Sequence, residues 1–163
     1  MTKVRRFEDL ICWQKARVLA NTIHELTCRA AFSKDFKLRD QILDAAGSVM
    51  HNIAEENDAG TDPEFIRFLK MARRSSSEVQ SELYLALDRK YIADADLKQA
   101  YEQADEAKRL INGLIAYLRK SGQNSTNKIG ESRADYLADS EDFADEDDNA
   151  PDENLFDDAK ADD

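Results

Sequence analysis

The chain has 163 residues and a formal net charge of -11, a length that favours one folded domain with an appendage over two separate cores. The charge divides unevenly: Met1 to Gly122 hold 20 Lys/Arg against 19 Asp/Glu, a balance of +1, and Gln123 to Asp163 hold 3 against 15, a balance of -12. This excludes a strongly acidic folded body; no stretch reaches the roughly 18 apolar residues of a membrane span, and Thr2-Lys3-Val4-Arg5-Arg6 runs into Phe7-Glu8-Asp9 without a hydrophobic signal segment, so a cytoplasmic protein is expected.

A first helix is expected from about Asp9 to Ala31, because Leu10, Trp13, Ala16, Ala20, Ile23, Leu26 and Ala30 recur at steps of three and four. Cys12 and Cys28 both fall on it, sixteen residues and therefore about 24 Å apart. That is too far for a disulfide within one chain, and they read as reduced, partly buried thiols. Ser33-Lys34-Asp35 breaks the pattern. A second helix follows on Leu38, Ile42, Ala45, Ala46, Val49 and Ile53, stopping near Asn57.

Asn57-Asp58-Ala59-Gly60 is a turn cluster, and Thr61-Asp62-Pro63-Glu64 has the spacing of a capping box with a proline in the first turn. The third helix starts there and buries Phe65, Phe68/Leu69, Ala72, Ser76, Val79, Leu83 and Ala86/Leu87, ending near Asp88. Arg89-Lys90-Tyr91-Ile92 closes it. Asp94 or Asp96 can cap a fourth helix, whose Leu97, Ala100, Ala104, Ala107, Ile111, Leu114 and Leu118 step alternately by three and four. Arg119 and Lys120 complement its dipole, and Gly122 is placed to end it in a left-handed conformation.

Short links make neighbouring helices antiparallel. The expected architecture is therefore all-α, an up-down four-helix bundle over residues 1–122, with a disordered acidic tail over residues 123–163. In that tail like charges repel and little apolar surface is available to bury. Its two apolar islands are Tyr136-Leu137 with Phe143, and Leu155-Phe156.

No catalytic, cofactor or metal site is expected. Carboxylate-bridged metal bundles use Glu-x-x-His pairs, whereas here Asn21 stands three before His24 and Ser48 three before His51. His51 and Glu55 are one turn apart, but a surface or core hydrogen bond explains them more simply than a shared metal. Neither cysteine has a second ligand at zinc spacing, and the five glycines are scattered rather than gathered in a phosphate loop.

Two polar groupings stand out. Asn52, Glu55, Ser75 and Glu78 fall at or beside the buried stripes of the second and third helices, where polar groups need partners; they are expected to form a hydrogen-bonded network that fixes helix register. Arg67, Lys70, Arg73 and Arg74 cluster on the third helix, where they would contact phosphates if the ligand is nucleic acid; a solvated face is the plainer account for a body of near-zero charge. Arg5 and Arg6 are candidates to extend that patch. The tail has three readings: a solubilising appendage, a binding segment, or a nucleic-acid mimic that lies on the basic face.

Several segments carry a family resemblance. Phe7-x-Asp9-Leu10-x-x-Trp13-Gln14-Lys15-Ala16, Leu38-x-x-Gln41-Ile42-x-x-Ala45-Ala46-x-Ser48-Val49, Asn52-Ile53-Ala54-Glu55, Glu64-Phe65-x-x-Phe68-Leu69-x-x-Ala72, Ser75-x-x-Glu78-Val79 and Tyr91-Ile92 resemble the four helix bundle proteins encoded in intervening sequences of bacterial 23S ribosomal RNA genes. The likeness covers about residues 7–120, and Asn52-Ile53-Ala54-Glu55 is its most specific part. It implies a bundle that assembles as a homopentamer, related to the accessory protein of diversity-generating retroelements, which partners a reverse transcriptase and RNA. Two positions depart from the family pattern: Glu56 and Arg74 stand where glycine is usual.

The sequence thus predicts a bacterial, cytoplasmic, non-enzymatic homo-oligomer that engages RNA or an RNA-associated protein, with no cofactor, small-molecule substrate or membrane partner. The alternative is a protein-binding adaptor in which Tyr136, Leu137, Phe143, Leu155 and Phe156 anchor the acidic tail.

Overall fold

Four helices carry the fold: α1 (Ile11–Thr27), α2 (Phe36–Ala54), α3 (Asp62–Asp88) and α4 (Asp94–Asn124), with single 3-10 turns at Phe7–Asp9 and Phe32–Lys34. The computed structural model describes residues 6–55 and 62–124. The turn expected at Asn57–Gly60, the Thr61 cap and the acidic segment from residue 125 onward lie outside the described residues. Among those described, no helix is long and apolar enough to cross a membrane.

The buried side chains form two clusters whose membership fixes the helix directions. One joins Leu19, Ile23 and Leu26 from the end of α1, Leu38 and Ile42 from the start of α2, Val79, Leu83 and Ala86 from the end of α3, and Ala100 and Ala104 from the start of α4. The other joins Cys12 and Ala16, Val49 and Ile53, Phe65, Leu69 and Ala72, and Ile111, Leu114 and Leu118, the opposite half of each helix. Each helix therefore runs against the next, and α1 closes the ring on α4 as well as on α2. Full burial of a Leu, Ile or Phe side chain contributes about 1.5–3 kcal/mol, so these stripes carry most of the stability. Ala100, Ala104 and Ala107 leave room on α4 for the larger side chains of its neighbours.

The first helix stops earlier than its periodicity suggests. Thr27 turns its Oγ1 onto the His24 carbonyl (2.8 Å), and the Arg29 N–H bonds the Leu26 carbonyl three residues back (3.2 Å). The tightened chain swings Phe32 into the core, where it is wholly buried and stacks on Tyr91 with ring centroids 5.2 Å apart. Ala30, expected on the buried stripe, is exposed in this link. Cys12 is buried, but Cys28, at the end of α1, is exposed, which corrects the reading of both thiols as partly buried.

Asp35 caps α2 by accepting from the Leu38 N–H (3.2 Å), and the same carboxylate receives Arg89 and the Tyr91 hydroxyl (3.1 Å) from the far end of α3. That end is a Schellman closure: the Tyr91 N–H reaches the Ala86 carbonyl (2.9 Å) and the Lys90 N–H the Leu87 carbonyl (2.8 Å), with Lys90 left-handed at φ 60°. Ala93 caps α4, and the Asp96 carboxylate returns to its N–H (2.9 Å). Gly122 does not terminate that helix, which continues to Asn124. Glycine permits a left-handed cap without compelling one, and within a helix it costs only about 1 kcal/mol relative to alanine.

Candidate nucleic-acid interface

The inward stripe of α3, Phe65, Leu69, Ala72, Ser76, Val79, Leu83 and Ala86, sets where its cations go. At 100° per residue, Arg67, Lys70 and Arg74 fall on the opposite face, and all three are exposed. Arg67 lies over the Phe68 ring, 5.0 Å from its centroid. Arg73 is also exposed but turns toward α4, donating from Nη1 to Asn112 Oδ1 at 3.1 Å. The four cations thus form a row of three with a fourth at its α4 edge. Arg5 lies outside the described residues, and Arg6 is occupied by the Glu8 carboxylate.

What distinguishes these four is that they gather on one helix without an acidic partner among the described residues. Lys15, Arg29, Arg39, Arg89, Lys98 and Arg109 each lie within 4 Å of a carboxylate. No ion pair among the described residues involves Arg67, Lys70, Arg73 or Arg74.

The polar residues between α2 and α3 meet only in part. Asn52, buried on α2, donates from Nδ2 to the Ser48 carbonyl (2.7 Å) and to Ser48 Oγ (2.9 Å); the Ser75 hydroxyl donates to Ser48 Oγ at 3.0 Å. Ser48 is therefore the residue that joins Asn52 to Ser75, and α2 to α3. Glu55 and Glu78 are exposed, outside this chain of bonds. Beside it opens a groove of about 420 Å³, lined by Leu43, Asp44, Gly47, Ser48, His51, Asn52, Glu55 and Met71. Among the described residues, no three His, Cys, Asp or Glu side chains converge as they would around a metal.

A second polar bridge, between α3 and α4, escaped the sequence reading. Gln80, buried, donates to the Tyr101 carbonyl (3.4 Å) and accepts from Lys108 Nζ (3.1 Å). Its signal was the helical step from Ser76, which places it at the edge of the apolar stripe.

Carboxylates are shifted in both directions, down at the helix starts and up inside α3. The Leu38 N–H is the largest influence holding Asp35 below the usual carboxylate range, aided by Arg89 and Tyr91. Arg29, forked onto both oxygens at 2.6 and 2.8 Å, does the same for Asp96. Glu82 is pushed up, mainly by burial and then by Glu78, and its Oε2 is buried with no hydrogen-bond partner among the described residues.

Against known proteins, the family model described as 23S rRNA-intervening sequence protein matches residues 8–113. Among solved structures, the chain is similar to a protein of unknown function from the S23 ribosomal protein family of Bacteroides thetaiotaomicron. That likeness has a TM-score of 0.60 at 22% identity and covers 65% of this chain and 96% of that one, and it speaks to the fold alone. No curated protein matches the chain.

Proposed function

We propose that this chain, which belongs to the 23S rRNA-intervening sequence protein family, acts by binding rather than by catalysis, and that its ligand is RNA held through phosphate contacts on the outer face of α3. The observation that carries this reading is the set of four exposed cations, Arg67, Lys70, Arg73 and Arg74, gathered within about two turns of one helix and in no ion pair among the described residues. Arg67 to Arg74 span seven residues and about 10 Å of helix, enough to meet two or three successive phosphates. The contacts would position a backbone and carry no sequence information of their own.

Salt dependence tests this directly. Binding of a fluorescent uridine 20-mer should weaken as salt rises, and the full-length variant R67Q/K70Q/R74Q should lose about 2 from the log–log slope, near 0.7 per phosphate contact removed. A slope unchanged in the variant would place the contacts elsewhere.

The same reading includes self-association. Phe36, Tyr84, Val18, Met71 and Leu85 are 41–65% exposed in the single chain, apolar surface that contact between copies would cover. The family resemblance points to a ring of five. Light scattering after size exclusion should give a mass near five chains, and a strictly monomeric protein at all concentrations would exclude the assembly.

A further inference from the structure

Where α4 ends matters as much as where the cations lie. The cluster that holds Ile111, Leu114 and Leu118 of α4 also holds Phe65, Leu69 and Ala72 of α3, so the last turns of α4 run beside the first turns of α3. The Arg73 to Asn112 hydrogen bond sets the register. From Asn112 the helix continues twelve residues to Asn124, about 18 Å, while α3 runs six residues from Arg73 back to Arg67, about 9 Å. Measured along the bundle, the chain therefore leaves α4 about 9 Å beyond Arg67, on the side of the bundle next to the four exposed cations.

The segment that leaves is the most acidic in the protein. Residues 125–163 contain 15 Asp/Glu and 3 Lys/Arg, a net charge of -12, and its densest run is Asp145-Glu146-Asp147-Asp148. Asp145 lies twenty-one positions beyond Asn124, a tether that reaches up to about 70 Å when extended, against the roughly 9–20 Å along the bundle from the end of α4 to the Arg67–Arg74 stretch. Each carboxylate offers a guanidinium the same two-oxygen acceptor edge as a phosphate. The four cations and this run are thus complementary in sign, within reach of each other, and joined by the same chain.

Resting on the RNA-binding reading above, we infer that the occupant of the basic face of α3 in the free protein is the chain's own acidic segment, residues 125–163, which competes with RNA for Arg67, Lys70, Arg73 and Arg74. Tethering supplies the competitor at an effective concentration in the millimolar range. With an affinity for the face of about 100 μM, it lowers the apparent RNA affinity about tenfold at low salt. Both contacts are electrostatic, so the difference fades as ionic strength rises.

The experiment uses the full-length chain and a variant with the run neutralised, E141Q/D142N/D145N/E146Q/D147N/D148N, with the fluorescent uridine 20-mer as probe. Expected are a gain in affinity of about tenfold near 50 mM salt that shrinks above 300 mM, and displacement of the RNA from the variant by a synthetic peptide of residues 125–163 at about 100 μM. A gain without displacement would mean simple charge repulsion and would overturn the inference. Equal affinities, with binding still lost in R67Q/K70Q/R74Q, would overturn it while leaving the RNA reading intact. No salt-dependent binding by either protein would overturn both.

Discussion

Replacing Lys90 with glycine should make the protein more stable, although it removes a side chain and adds no contact. Lys90 sits at φ 60°, the left-handed position of the closure that ends α3. A side chain there brings Cβ against the carbonyl oxygen at a cost of about 1–2 kcal/mol, which glycine avoids. Glycine also widens the conformational freedom of the unfolded chain, which takes back about 0.5–1 kcal/mol. The net gain is about 0.5–1 kcal/mol, or roughly 2–5 °C in Tm for a cooperative unit of this size. Lys90 is exposed and no ion pair among the described residues uses it, so little is lost with its ammonium group. Urea unfolding followed by circular dichroism at 222 nm would show the midpoint rising at constant m-value. Lys90→Ala, which keeps a Cβ, should stay within about 1 °C of wild type because alanine carries the same left-handed penalty. A glycine variant no more stable than wild type, or an alanine variant that gains as much, would refute this account of how α3 ends.

Phe32→Ala empties a wholly buried site stacked on Tyr91 and should cost about 3–5 kcal/mol in urea unfolding; a loss under 1 kcal/mol would mean the link between α1 and α2 repacks freely. Ser48→Ala and Ser75→Ala should each cost about 1 kcal/mol, and a double-mutant cycle should return a coupling of about 0.5–1 kcal/mol, whereas zero coupling would dismiss the bridge between α2 and α3. Glu82→Gln should stabilise the protein at pH 8 and have no such effect at pH 4. A raised folded pKa means stability that is full below the ordinary glutamate value and lost as pH rises through the folded one, and a gain equal at both pH values would contradict it. Asp35 and Asp96 have the opposite sign. Their stabilisation is present above about pH 4 and lost as pH falls through their lowered folded values, so D35N/D96N should flatten the stability profile on the acid side; an unchanged acid limb would refute that.

The bundle itself was legible in the residues because helical periodicity is a one-dimensional record of burial. Leu38, Ile42, Val49, Phe65, Leu83, Ala104 and Ile111 were readable as core from their spacing alone, and all are buried. Helix ends were less legible, since they depend on contacts the local chain does not contain. α1 ends at Thr27 because Phe32 is needed in a core built by three other helices, and α4 passes through Gly122 because a flexible residue permits a stop without imposing one.

For the candidate interface, the sequence alone placed Arg67, Lys70 and Arg74 on one face, a consequence of 3.6 residues per turn. Only the tertiary structure could show that no ion pair among the described residues takes up their charges, that Arg73 leans to Asn112, and that Ser48 joins Asn52 to Ser75 while Glu55 and Glu78 remain outside. Each of these depends on which helix packs alongside and at what register. The end of α4 beside the first turns of α3 is likewise a product of antiparallel packing, which brings residues more than fifty positions apart to the same end of the bundle. Local spacing determines which side of a helix a residue faces; its partner across the interface is decided when the whole bundle closes.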